Sequence, residues 1–299
     1  MSEELIYLIQ LIISGMAVGC LYGLIGLGFV LIFKATDILN FAQGEATMAG
    51  AYFCYVLITT LNTPFYVAIV LTIVFLGLLG IITDRVMIHP MLGESTLSIV
   101  MITLGLSIFI KAVISIIFGH SNLLFPSPFS QDPLKIAKGL VIAPTHLWIM
   151  GATIFLIIIF FTIFKYSKVG LAMRGMANDQ ETAYLMGVNV KRIFSLTWGL
   201  SFVVAGIGGV FLANLISLSP DFSLVAIKVF PAIVLGGMES IPGAIIGGLI
   251  IGLSENIVGG YFDQMLGGGA KEITAFIILL MLLIIKPHGL FGIKEVERV

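Results

Sequence analysis

Long apolar runs separated by short polar breaks fill the chain from end to end. The first run, from Leu5 to Phe33, holds about thirty residues against the ~20 that cross a bilayer as a helix. It predicts a helix that is tilted, broken or extended past the membrane. Further runs follow at Asn40–Leu61, Pro64–Ile88, Ser95–Phe118, His146–Phe164, Ile193–Leu218, Ala244–Phe262 and Glu272–Ile285. Val225–Gly237 is too short to cross as a straight helix and pairs with Ala244–Phe262 as an in-and-out excursion. The pattern predicts an all-α membrane protein, one transmembrane domain over 1–299, with about eight or nine spans and interrupted helices. The opening MSEEL has no positive flank, and the run behind it is too long for a cleaved signal, so it is read as a membrane helix.

Two stretches do not span. Residues 119–145 hold four of the ten prolines, and 166–192 form the only long polar and charged run. One span separates them, so they face opposite sides. Five of the fifteen Lys and Arg residues fall between Lys165 and Arg192. Placing that run in the cytoplasm also puts Lys34, Arg85, Lys286, Lys294 and Arg298 inside and leaves Lys135, Lys138 and Lys271 outside, as the positive-inside rule requires. The 119–145 stretch becomes an external loop, a connector or a surface for an external partner.

Within the spans, a few positions break the apolar rule. Asn40, Gln43, Gly44 and Glu45 crowd the start of the second run. They mark either a helix N-terminus at the headgroups, where Glu45 meets the positive end of the dipole, or a broken helix lining a substrate path. Glu239 lies in a second Gly-rich interruption, Gly236–Gly248, which faintly echoes Asn40–Tyr52. Gly15, Gly19 and Gly23 share one helix face and suit close helix packing or a pore lining. The same four-residue spacing recurs in Gly243/Gly247 and Gly248/Gly252. Lys111 either snorkels from its span or meets substrate.

Composition agrees with a lipid solvent. Hydrophobic residues make up 59% and charged residues only 10%, against roughly 25% charged in soluble domains, and mean hydropathy is +1.14. The net charge of -1 gives no reason to expect nucleic acid. Cys20 and Cys54 lie in apolar runs and suggest neither a disulfide nor a metal site. The four histidines do not converge in this topology, and no Ser/His/Asp or paired-carboxylate arrangement suggests an enzyme.

The 166–192 run has internal structure. Asn178-Asp179-Gln180-Glu181 has capping-box spacing, with Asn178 accepting from the Glu181 N–H. Gly187 suits the left-handed residue that ends a helix, and Asn189 can cap the next span. The result is a helix of about two turns, Asp179 to Met186. Alone in water it would not be stable, so Ala183, Tyr184, Leu185 and Met186 must pack, either on this chain or on another.

Glu181–Gly187, ETAYLMG, resembles the EAA-x-x-x-G pattern in the cytoplasmic loop of ATP-binding-cassette importer permeases, with Thr182 in place of Ala. Ile38–Tyr52 is similar to the N-F-A-x-G-E signature of LivH/LivM permeases. Phe230–Gly252 is similar to their V-L-G-G-x-G-S-x-x-G-A segment, with Glu239 where Gly is usual. Lys286–Gly292 resembles their K-P-x-G-L-F-G end. The resemblance covers essentially the whole chain, and the length suits the LivH-type subunit.

The resemblance implies an all-helical fold of the ribose- and vitamin B12-type permeases, in the bacterial or archaeal plasma (inner) membrane. The implied function is import of branched-chain or other apolar amino acids. Its implied partners are a LivM-type second permease, two cytoplasmic ATPase subunits, an external substrate-binding protein and membrane lipid. The 179–186 helix would be the coupling helix, with Arg174, Asn178, Asp179, Glu181, Ala183 and Gly187 as coupling residues. Asn40, Gln43, Glu45 and Glu239 would line the substrate path. No G-x-x-x-x-G-K-[ST] occurs, so ATP is expected to be used by partner subunits, with no cofactor bound by this chain. Two alternatives stand beside this: a urea or short-amide permease of the same family, and an ion-coupled transporter using Glu45, Glu239 and Glu255.

Overall fold

The structure, a computed structural model, describes residues 3–91, 93–129, 132–137, 140–266 and 268–292. Among these residues are eleven α-helices: α1 (Glu3–Thr36), α2 (Gln43–Thr59), α3 (Phe65–Thr83), α4 (Thr96–Phe118), α5 (Pro144–Tyr166), α6 (Lys168–Asn178), α7 (Gln180–Leu185), α8 (Val190–Leu212), α9 (Val225–Gly236), α10 (Ile241–Leu266) and α11 (Ala270–Ile285). A small antiparallel hairpin, β1 (Leu134–Ala137) and β2 (Leu140–Ile142), lies within the 119–145 stretch. Six helical segments are long and apolar enough to cross a membrane: Glu3–Thr36, Phe65–Met91, Thr96–Phe118, Pro144–Tyr166, Val190–Leu212 and Ile241–Leu266. The expected eight or nine spans are not reproduced by that criterion, because α2, α9 and α11 have only 17, 12 and 16 residues.

The first run is one unbroken 34-residue helix. At 1.5 Å per residue it is about 50 Å long, more than a hydrocarbon core of about 30 Å. It is therefore extended rather than broken. Pro64 sits at the N-cap of α3 with an extended backbone, one position earlier than a first-turn proline. The third run changes geometry at Asp84, where the α-helix gives way to a π turn, Asp84–Ile88, and a 3-10 turn, His89–Met91.

The chain divides into two compact units. One comprises Met1–Gly26, Ser127–Phe155 and Ile227–Val299, and the other Leu27–Pro126 and Leu156–Ala226.

In the first unit α1 and α10 meet backbone to backbone. A β-carbon at Gly19 would lie 2.8 Å from Leu249 Cα, and one at Gly252 would lie 2.4 Å from Gly19 Cα. The small-residue stripe of α1 is a packing seam, which is how small residues draw helices together in lipid. Gly243 and Gly247 face the other way, against Gly236 and Ala232 of α9. The C-terminal motif folds onto the end of α9: Leu290 N–H donates to Leu235 O at 2.8 Å and Phe291 N–H to Gly236 O at 3.1 Å. These bonds satisfy carbonyls that a helix end leaves open. Gly289 permits the approach with φ +77°.

In the second unit α8 is the central helix, buried from Ile193 to Leu212 on most sides. It contacts α2 and α3 through small residues. A β-carbon at Gly50 would lie 2.6 Å from Gly206 Cα, and one at Gly80 would lie 2.5 Å from Trp198 O. Ile32, Ile38, Leu76, Ile88, Ile99, Trp198 and Phe202 form the core around this contact.

Candidate functional site

The polar residues at the start of α2 are buried inside the second unit. Asn40 lies before the helix and bonds in two directions: its side-chain oxygen accepts from Ala42 N–H at 3.0 Å, and its amide donates to Gln43 Oε1 at 3.0 Å. Gln43, fully inaccessible, also accepts from Ser201 Oγ at 3.1 Å. The Ser201 hydroxyl lies 2.7 Å from the Gly28 carbonyl as well. One knot therefore joins the end of α1, the break before α2 and the middle of α8. Gly28 makes room for it, since a β-carbon there would lie 2.2 Å from Gln43 Nε2. Polar groups at membrane depth survive when they satisfy one another. Asn40 and Gln43 thus face the interior, not headgroups, and their partners are protein.

Glu45 points elsewhere. The Ser107 and Ser223 side chains lie near its carboxyl and favour its charged form, and the Lys111 ammonium acts on it from farther away. Lys111 in turn pairs with Asp221 at 3.0 Å. Gly44 brings the 3-10 turn Pro220–Leu224 against the first turn of α2, where a β-carbon would lie 2.3 Å from Ser223 O. Glu45, Ser107, Lys111, Asp221 and Ser223 therefore gather where α2, α4 and this turn meet. Lys111 is neither simply snorkelling nor unpartnered. Sequence reading had no way to pair it with Asp221, 110 positions away. Farther along the α2–α4 face lies an apolar cavity of about 420 Å³, lined among others by Tyr52, Phe75, Ile114 and Phe118.

Glu239 lies in the other unit, in the turn between α9 and α10, and is partly exposed. Glu45 is inside the first turn of its helix and Glu239 precedes its helix, so the two interruptions are not residue-by-residue equivalents. Gly237, with φ +101°, carries the turn. Glu255 is completely inaccessible and accepts from Tyr22 OH at 2.9 Å.

The 166–192 run is helical over most of its length. Ser167 caps α6, its oxygen accepting from Gly170 N–H at 3.0 Å. The sequence reading missed this helix, although a serine before a polar-apolar run was the available signal. Arg174 folds back from α6, donates to the Phe164 carbonyl and lies over the Phe164 ring at 5.6 Å. That interaction fixes α6 on the end of α5.

The expected short helix is present as α7, but its cap is Asp179. Asn178 is the last residue of α6, its backbone still helical, so it cannot cap α7; its side chain lies outside the described residues. Asp179 adopts extended φ and ψ, and its Oδ1 accepts from Glu181 N–H at 2.9 Å and Thr182 N–H at 3.0 Å. The Thr182 hydroxyl donates to Asp179 Oδ2 at 2.7 Å. Thr182, which departs from the Ala of the pattern, thus completes the cap. These bonds, the Thr182 hydroxyl foremost, hold the Asp179 carboxyl below the usual aspartate range. Gly187 takes φ +85°, with its N–H donating to Tyr184 O at 2.9 Å and Val188 N–H to Ala183 O at 3.0 Å. Asn189 then caps α8 by accepting from Arg192 N–H at 3.0 Å. Ala183 is buried, Glu181 is exposed, and Tyr184, Leu185 and Met186 are 69%, 78% and 81% exposed. No group of three or more potential metal ligands occurs among the described residues.

A profile of the family described as "Branched-chain amino acid transport system / permease component" matches residues 11–286. The chain is 31% identical, over the full length of both sequences, to the high-affinity branched-chain amino acid transport system permease protein LivH of Escherichia coli K12. It is 30% identical to the corresponding permease protein BraD of Pseudomonas aeruginosa, over 99% of each chain. A probable branched-chain amino acid transport permease protein LivH of Methanocaldococcus jannaschii is 28% identical, over 92% of this chain and 90% of that one. Among solved structures, PsaBC from Streptococcus pneumoniae in complex with Fab aligns with a TM-score of 0.53, covering 95% of this chain and 94% of that one. At 16% identity this is a likeness of fold alone.

Proposed function

Because the chain belongs to the permease-component family of branched-chain amino acid transport systems, and is an integral multi-pass membrane protein, we propose that it forms half of the membrane path of an ATP-binding-cassette importer for branched-chain or other apolar amino acids. The other half is a LivM-type permease, two cytoplasmic ATPase subunits drive the cycle, and an external binding protein delivers substrate. The setting is a bacterial or archaeal plasma membrane, and the fold is of the ribose- and B12-type. On this reading α2 and α11 also cross, giving about eight passes, with α9 as a half-span.

The observation that carries the proposal is α7. It is a six-residue helix capped at both ends, with Ala183 turned inward and Tyr184, Leu185 and Met186 turned outward. Exposed apolar side chains clustered on a capped turn suit a partner's groove. Asp179, Thr182 and Gly187 hold its shape, Ala183 seats it, Glu181 faces the partner, and Arg174 anchors the preceding helix. ATP-driven closure of the ATPases pushes α7, and the bundle exchanges access between the two sides. Glu45, with Ser107, Lys111 and Ser223 around it, is the charged station of the path; Asn40 and Gln43 brace it, and Glu239 stands at the α9–α10 turn.

The test is ATP hydrolysis and leucine uptake by the purified assembly carrying Gly187→Pro. Proline cannot take φ +85°, and its missing N–H removes the bond to Tyr184. Loss of stimulation by leucine-loaded binding protein is the expected result. Stimulation at the wild-type level would refute the coupling role.

A further inference from the structure

We propose that Ser195 and Asp84 form the joint that carries movement of α7 to α3, with the Ser195 hydroxyl exchanging between two acceptors. This rests on the coupling role of α7 given above.

The connection from α7 to the joint has little slack. Only residues 186–189 separate α7 from α8, and they are fixed by the Val188 N–H bond to Ala183 O and by the Asn189 cap. Displacement of α7 therefore becomes displacement of α8. From Asn189, α8 rises about 9 Å to Ser195, passing the point at Ile193 where it becomes buried.

At that level the Ser195 hydroxyl donates to Asp84 Oδ2 at 2.5 Å, and both residues are buried. The same hydroxyl has a second acceptor on its own helix, the Lys191 carbonyl at 3.3 Å. A rotation of Ser195 can exchange one bond for the other, so the inter-helix bond can open without leaving the donor unsatisfied. Beyond the joint, α3 and α8 lie too close to slide past each other, with Gly80 against the Trp198 carbonyl and Gly199. The apolar contact supplies stiffness, and the Ser195–Asp84 bond supplies register.

Two further features mark this place. Asp84 opens the π turn Asp84–Ile88 at the end of α3; single π turns in helices are frequent at functional sites. Among the described residues, three buried polar atoms on these elements have no hydrogen-bond partner: Asp84 Oδ1, His89 Nδ1 and Trp198 Nε1. Trp198 lies one turn beyond Ser195 on α8. His89 follows the π turn and, with Arg85, acts electrostatically on Asp84. Unused bonding capacity in an apolar setting is costly. It fits an element with a second arrangement, in which these groups are paired.

The joint is tested in proteoliposomes of the assembled transporter with leucine-loaded binding protein, measuring leucine uptake and ATP hydrolysis together, per assembled complex. Ser195→Ala is expected to leave basal hydrolysis unchanged and to lower uptake per ATP by about tenfold, within the range of coupling between distant sites. Asp84→Asn keeps an oxygen acceptor and Ser195→Thr keeps the donor; both are expected to stay within about twofold of wild type, a rescue that a purely volumetric role would not produce. A wild-type uptake-to-hydrolysis ratio in Ser195→Ala, or an Asp84→Asn as defective as Ser195→Ala, would overturn the joint. A wild-type assembly with no leucine-stimulated hydrolysis would overturn the importer reading as well; a coupled wild type with an unaffected Ser195→Ala overturns the joint alone.

Discussion

Tyr22 donates to Glu255 across 233 positions of sequence, at 2.9 Å, inside the first unit. Among the described residues, Tyr22 is the one donor to Glu255 Oε2, and Oε1 has none. Tyr22→Phe therefore strands the carboxyl entirely. It is expected to lower stability by about 1–3 kcal/mol, the cost of a buried polar group left without its partner. The double variant Tyr22→Phe/Glu255→Leu should recover most of that loss. Thermal unfolding in detergent measures both, and a single variant as stable as wild type would show that the bond contributes nothing.

The α7 cap should respond to acid. The Asp179 carboxyl is held below its ordinary range by the Thr182 hydroxyl and by the Thr182 and Glu181 N–H groups. A depressed folded value means that the cap contributes fully above the unfolded pKa, about 3.9, and that this contribution is lost as pH falls through the lower folded value. Thr182→Ala removes the leading cause, so its carboxyl should protonate at higher pH. Hydrogen exchange of the Thr182 and Ala183 amides, corrected for intrinsic rate, should stay protected to lower pH in wild type than in Thr182→Ala. Identical profiles would remove the hydroxyl from the cap.

Glycines of two kinds occur in the helices, and they should behave oppositely. Gly50 faces Gly206 so closely that a β-carbon has no room, whereas nothing lies within 4 Å of the corresponding position at Gly105. Gly50→Ala is expected to force α2 away from α8 at about 1–3 kcal/mol, the usual cost of overpacking. Gly105→Ala should be neutral or stabilising by up to about 1 kcal/mol through helix propensity. Melting temperatures of the two variants in the same detergent decide the matter.

Gly289 tests the C-terminal latch. Its φ of +77° and the Val234 carbonyl, 2.6 Å from where a β-carbon would lie, exclude larger residues. Gly289→Val is expected to release Leu290 and Phe291 from α9, and limited proteolysis should then cut near 288–291 at least about tenfold faster, because opening rather than cleavage limits the rate. Unchanged cutting would mean that the latch tolerates the strain.

Most of the helix positions were legible in the sequence, because a bilayer enforces long apolar runs and each run reads locally. Ser95–Phe118 and His146–Phe164 correspond closely to α4 and α5. The ends were less legible: Ala244–Phe262 became the longer α10, since Ile241 and Pro242 begin the helix within the turn chemistry of Gly237–Ser240. Asp179 displaced Asn178 as a cap because both residue types suit that role, and only the backbone at the end of α6 distinguishes them. The polar knot of Asn40, Gln43 and Ser201 could be suspected from one end only. Ser201 sits in an apolar run 158 positions from Gln43, and nothing local shows that they meet.

The latch of residues 289–291 on α9 has a temporal side. Those residues leave the ribosome after α9, α10 and α11 have all been made, roughly fifty residues later at about 5–20 residues per second. For some seconds the carbonyls of Leu235 and Gly236 exist without their eventual donors. The turn at Gly237–Ser240 is thus closed by a segment made only after α9, α10 and α11, so this part of the first unit cannot be completed stepwise in the order of synthesis.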